Sequence, residues 1–286
     1  MSSSSLVSVP RHSTRIGAVK RSTSLLIVVL ALAGCAAPAA APYHQVTVTL
    51  PSPATLTAEL HLPRGPGPFP TLILLHGCGG LGPNVVAWAR WLAWEGYGAL
   101  VLDSFGGRGL RRICGDSSVL TGGARSRDVY EAAKYLATLP AIDATRLGAI
   151  GWSHGGWMVL RSAMIEDLYP DVRLRALVAF YPYCGDVASY RARPPLLILH
   201  GEADDWTPVE LCRYLVDNAK AAGADVALVS YPGAHHGFDV TTLTRPILVR
   251  EARQGRGATI AYDPSALRDA EKRLREFLRR HLKMGS

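Results

Sequence analysis

Charge is scarce in this chain. Asp, Glu, Lys and Arg together make 19% of 286 residues, against 48% hydrophobic. That excludes a solvated disordered chain and a charge-laced coiled coil. Cysteine is rare too: five residues cannot staple a small disulfide scaffold. With no C-x-x-C pair and no His/Cys cluster, they suggest no metal site. No strongly apolar run is long enough to cross hydrocarbon as a helix, since the best, SLLIVVLALA at 24–33, falls well short of the ~20 residues required. Of the formal charge of +8, four units belong to Arg11, Arg15, Lys20 and Arg21, in a first 35 residues that hold no acid. The +4 left for the rest of the chain does not argue for nucleic-acid binding.

The short apolar run has basic residues before it and small residues after it, the layout of a signal peptide. It ends in Leu32-Ala33-Gly34-Cys35, which resembles the lipobox of bacterial lipoproteins. The resemblance implies cleavage before Cys35 and lipidation of that residue, with several acyl chains giving a stable membrane anchor. Ala36 follows where an Asp would signal inner-membrane retention, so outer-membrane sorting facing the periplasm is implied. Residues 1–34 are therefore expected to be a leader and 35–42 a flexible tether. Residues 43–286 are expected to form one domain.

From Tyr43 the chain alternates two patterns. Residues 44–50 and 55–62 alternate apolar and polar side chains, as half-exposed strands do. Continuous apolar runs follow at 71–76, 98–103, 146–152, 175–181, 195–201 and 226–232. Such runs fit strands buried on both faces of a parallel sheet. Helical spacing fills the gaps at 84–95, 126–138, 208–222 and 265–282. The expected fold is a doubly wound α/β domain: a mostly parallel eight-stranded sheet with helices on both faces. Trp88, Trp91 and Trp94, three residues apart, are expected to be core. Residues 240–262 fit no element and are expected to be an insertion, a candidate flap.

The chemistry concentrates at strand ends. Gly151-Trp152-Ser153-His154-Gly155 follows a buried strand and opens a helical run, the context in which G-x-S-x-G presents a nucleophilic serine on a strained turn. Side chains at either glycine would crowd the neighbouring strand and helix. A serine needs a base, and the base an orienting acid. In chain order these follow as Asp204 or Asp205, then His235 or His236, both after late strands and at the sheet edge of Ser153. Ligands bind at that edge in open α/β sheets. The backbone N–H of His154 and that of Cys78, in the turn His76-Gly77-Cys78-Gly79-Gly80, are the expected oxyanion donors.

Together GWSHGG, HGEADDWTP, YPGAHHGFD and VLDSFGGRG (101–109) resemble the dienelactone hydrolase family of α/β hydrolases. The family's H-G-x-x-D and H-G-F contexts select Asp204 as the acid and His236 as the base. The resemblance implies hydrolysis of small-molecule esters or lactones through an acyl-enzyme, without cofactor or metal; the chain is expected to be a monomer. It departs from dienelactone hydrolases proper in having Ser153 where they have cysteine. Of the two arginines that hold a substrate carboxylate in that family, Arg108 matches one, and Val240 stands where the second would fall. Arg108 and Trp152 are expected to contact substrate. Among the remaining cysteines, Cys78, Cys114, Cys184 and Cys212, a Cys114–Cys184 disulfide is expected to pin two active-site loops. The competing reading is a catalytically inactive hydrolase fold used for binding or scaffolding, against which an intact Ser/Asp/His set argues.

Overall fold

The computed structural model describes residues 43–49, 55–187, 190 and 194–282. Cys35 and the segments expected to be leader and tether lie outside the described residues. Eight strands form one sheet in the order β1-β2-β4-β3-β5-β6-β7-β8. They are β1 (Tyr43–Thr49), β2 (Thr55–His61), β3 (Phe69–Leu75), β4 (Gly98–Asp103), β5 (Ile142–Trp152), β6 (Leu174–Phe180), β7 (Leu196–Gly201) and β8 (Val226–Tyr231). β2 runs antiparallel to both β1 and β4, and the pairs from β4 through β8 are parallel. The eight expected strands are all present.

Strand pleat sorts each apolar run onto two faces. In β3, Ile73 and Leu75 join one core and Leu72 and Leu74 the other. The first core lies under α2 (Gly122–Ala137), α3 (His154–Met164) and α4 (Val209–Ala221). The second lies under α1 (Pro83–Trp94) and α6 (Pro264–Leu282). The tryptophan stripe is only partly core. Trp88 is buried, but Trp94 is 76% exposed. Three-residue spacing falls short of the 3.6-residue turn, so the stripe rotates off the buried face by its third member.

The chain leaves β3 toward β4 on one side, then returns to place β5 on the other side of β3. This reversal opens a crevice at the carboxyl ends of β3 and β5, between the Cys78 turn and Ser153. The 240–262 segment is a small hairpin, β9 (Ile247–Val249) and β10 (Ala258–Ile260), with a single distorted turn, α5 (Ala252–Gly255), between them. Asp205 is exposed and accepts the Thr259 amide at 2.8 Å. The Ala261 amide donates to the His236 carbonyl at 3.1 Å. The hairpin is thereby tied to the loops carrying Asp204 and His236.

The cysteines pair as Cys78–Cys114 and Cys184–Cys212, not as Cys114–Cys184. The sheet order explains the correction. The loop after β4 folds over the end of neighbouring β3, where Ile113 N donates to the Cys78 carbonyl at 2.9 Å. Cys184 follows β6, farther along the sheet, and packs on α4. Among the described residues, no helix is long and apolar enough to cross a membrane.

Candidate active site

Ser153 sits between β5 and α3 with φ 55° and ψ −116°, a strained conformation for a residue with a side chain. Its neighbours must be small. A Cβ on Gly151 would lie 2.1 Å from Gly155 O, and one on Gly155 would lie 1.9 Å from Leu75 O. The turn aims Ser153 Oγ at His236 Nε2, 2.8 Å away. On the far side of the ring, His236 Nδ1 lies 2.8 Å from Asp204 Oδ2. Both partners are buried, which strengthens the contact relative to water.

Asp204 is itself held. Its Oδ1 accepts the amides of Trp206 and Thr207, each at 2.9 Å. Burial pushes its pKa up, but the charge and hydrogen bond of His236, with help from His200 and the Thr207 amide, prevail and hold it below the ordinary aspartate value. The Thr207 hydroxyl lies 3.0 Å from Asp204 Oδ2, 3.1 Å from Tyr181 O and 3.2 Å from His236 Nδ1. Thr207 was missed in the sequence, although its place three residues after Asp204, where an Asx-type turn puts it, was a usable signal. Behind the histidine, Asp239 is buried and accepts from Tyr181, Trp88 and Asn84. The Tyr181 and Trp206 rings lie 4.5 and 4.9 Å from the His236 ring.

Of the paired candidates, Asp204 and His236 reach the serine site. His235 has no contact with Ser153 Oγ among the described residues. The Cys78 turn lies against the nucleophile: a Cβ on Gly77 would be 3.4 Å from Ser153 Cβ and 4.0 Å from its Oγ. Among the described residues, neither the Cys78 nor the His154 amide donates to a backbone carbonyl outside regular elements, and His154 heads α3, where helix amides lack internal acceptors. The start of α3 also places the positive end of a helix dipole beside Ser153.

Two expected substrate contacts are elsewhere. Arg108 directs both terminal nitrogens at Asp128, at 2.8 and 2.7 Å, and one also donates to Ser104 O. Its guanidinium is committed to a buried carboxylate. Trp152 is 1% exposed and its ring is stacked on Phe180, 5.3 Å between centres. One residue before the serine, the pleat of β5 turns it into the core beneath α1. The cavity over Ser153, about 740 Å³, is instead walled by His154, Trp157, Tyr183 and Trp206, the Cys78–Cys114 disulfide, and Arg253, Gln254 and Arg256 of the hairpin. No group of His, Cys, Asp and Glu suited to a metal ion occurs among the described residues.

The dienelactone hydrolase family model matches residues 56–282. The chain belongs to the dienelactone hydrolase family. It is 29% identical over 186 residues to an esterase, FrsA, of Escherichia fergusonii, a match covering 60% of this chain and 42% of that protein. The chain thus spans less than half the length of the curated relatives it matches. Among solved structures, it resembles a dienelactone hydrolase-like promiscuous phosphotriesterase from metagenomic libraries, with TM-score 0.68, 22% identity, and coverage of 85% of this chain and 99% of that one. It also resembles the dienelactone hydrolase of Anabaena variabilis, with TM-score 0.61, 19% identity, and coverage of 85% and 99%. At these identities the structural likeness speaks for the fold.

Proposed function

We propose that this family member is a serine hydrolase of carboxylic esters or lactones, working through an acyl-enzyme. The observation that carries the reading is the unbroken chain from Ser153 Oγ through His236 to Asp204, with 2.8 Å at each step, at the wall of a cavity. His236 Nε2 takes the serine proton as Oγ attacks the ester carbonyl carbon. The carbonyl oxygen becomes an alkoxide and is held by the amides of Cys78 and His154. Collapse expels the alcohol, which leaves with the proton from His236. Water then repeats the sequence, releasing the acid and restoring Ser153. Asp204 keeps the imidazole oriented and stabilises its protonated form. The esterase relative supports the same class of reaction. With Arg108 tied to Asp128 and Val240 at the other clamp position, a carboxylate-bearing dienelactone is disfavoured as the substrate.

The compartment proposed is the bacterial cell envelope, with a lipid anchor on Cys35. Support comes from the LAGC sequence and from two disulfides, which persist outside the cytosol. Radiolabelled palmitate entering wild type but not Cys35→Ala tests it, and equal labelling of both would remove the anchor.

For the reaction, the test is p-nitrophenyl acetate hydrolysis by wild type and Ser153→Ala, with a fluorophosphonate probe in parallel. The variant should lose turnover and labelling while keeping its thermal transition. Wild-type-like turnover in Ser153→Ala removes Ser153 from the mechanism. Folded wild type that neither hydrolyses nor labels would favour a binding protein instead.

A further inference from the structure

Arg125, one turn into α2, is wholly buried. Burial lowers its guanidinium to about 9 against the pull of Asp128, so it still carries charge at neutral pH. A buried cation is costly unless well paired, and the nearest obvious partner is taken: both Asp128 oxygens accept from Arg108. Arg125 turns elsewhere. Its Nη1 lies 2.7 Å from His154 Nδ1, and its Nη2 donates to the His76 carbonyl at 3.1 Å. Its guanidinium carbon lies 4.8 Å from the centre of the Phe105 ring. Its Nε finds no acceptor among the described residues.

The two acceptors share a location. His76 opens the turn that carries the Cys78 amide, and His154 carries the other proposed oxyanion amide. These segments come from different strands, β3 and β5, and they approach tightly: a Cβ on Gly155 would lie 2.7 Å from His76 O. A planar fork with donors on both arms can fix the spacing between them. A lysine, with one nitrogen on a flexible stem, cannot impose the same geometry.

We propose that Arg125 is the positioning residue of the oxyanion hole, locking the Cys78 turn to the head of α3 and setting a buried positive charge beside the developing alkoxide. This assignment rests on the serine-hydrolase reading. It adds a residue that contacts neither substrate nor the Ser153–His236–Asp204 chain.

The test uses the full chain with Arg125→Met and Arg125→Lys. Three quantities are measured: kcat and KM for p-nitrophenyl acetate, and Ki for a trifluoromethyl ketone, whose serine adduct bears an oxyanion. Loss of alignment in the hole is expected to lower kcat by about 10²-fold with KM within about threefold, because ground-state binding is spared. Ki should rise in parallel with the fall in kcat. Arg125→Lys, keeping charge without the fork, should recover about a tenth of wild-type kcat at most. A purely structural role would lower the melting temperature without moving Ki in step with kcat. Folded variants with kcat and Ki near wild type overturn the assignment, as does a fall in kcat with unchanged Ki. Should Arg125→Met not fold, the Lys variant decides by the same constants. Wild type inactive on every ester overturns the hydrolase reading itself, whereas active wild type with indifferent Arg125 variants overturns only this assignment.

Discussion

Gly155→Ala is the substitution whose outcome the structure constrains most tightly. The new Cβ would stand 1.9 Å from Leu75 O, 2.6 Å from Leu75 C and 2.7 Å from His76 O. All three are main-chain atoms, so no side chain can swing aside. Real Cβ contacts essentially never fall below 3.0 Å, which means α3 and the end of β3 must part by 3.0 − 1.9, or about 1.1 Å. Overpacking of this kind costs about 3 kcal/mol at the upper end of its usual range. Gly155 lies inside α3, where alanine is the better helix former by roughly 1 kcal/mol. The net loss is then about 2 kcal/mol, or roughly 4–8 °C in melting temperature for a domain of this size.

The rate should suffer more than the stability. The displaced atoms are the end of β3 and the first carbonyl of the Cys78 turn, so the separation grows between the two proposed oxyanion amides. A shift of about 1 Å in such a site can lower kcat by ~10²-fold. Urea denaturation and p-nitrophenyl acetate kinetics on the same preparation would measure both. A Gly155→Ala protein as stable and active as wild type would refute the close approach on which the site geometry depends.

Three further outcomes follow from other parts of the structure. Replacing both Cys78 and Cys114 by Ala should remove about 4 kcal/mol of loop-closure stabilisation for a separation of 36 residues and also lower kcat, since Cys78 carries a proposed oxyanion amide. Cys184→Ala with Cys212→Ala should lower stability comparably and kcat much less, as thermal melts and turnover on the two double-cysteine variants would reveal. Arg108→Ala should cost on the order of 3 kcal/mol, by leaving Asp128, 1% exposed, without its bidentate partner. KM for a neutral ester should hold steady, and a large rise in KM would return Arg108 to the substrate pocket. The pKa of His154 is lowered to about 3, by burial first and then by Arg125. The unfolded chain therefore binds a proton near pH 6.5 that the folded chain refuses. Stability is complete above that pH and should fall as pH drops from 6.5 toward 3, by about 1.4 kcal/mol per unit from this residue alone. His76 and His200, whose pKa values burial also lowers, act in the same direction. Urea midpoints that stay level between pH 7 and pH 5 would contradict this.

What could be read from the sequence depended on how local the controlling physics was. The β strands were legible because a parallel strand buried on both faces must be apolar at successive residues, as in Leu72 to Leu75. Ser153 was legible because the turn that strains it demands glycine at fixed offsets, and Gly151 and Gly155 do meet main chain at about 2 Å. Asp204 and His236 required a family pattern in addition, since nothing in the spacing of Asp204-Asp205 or His235-His236 says which side chain turns inward. Trp152 shows the limit of adjacency: it neighbours the nucleophile in sequence, yet the pleat sends it to the opposite core. The expectations for Arg108 and the cysteines failed, and Arg125 gave no signal, for a different reason. Each finds its partner on an element from elsewhere in the chain, at Asp128, at His76 and His154, and across the β3–β4 and β6–α4 contacts. Arginine and cysteine carry no local mark of such a choice. A buried guanidinium has to take whatever acceptors the packing leaves unspent. Once Arg108 has claimed Asp128, the acceptors left to Arg125 are those that frame the proposed oxyanion hole.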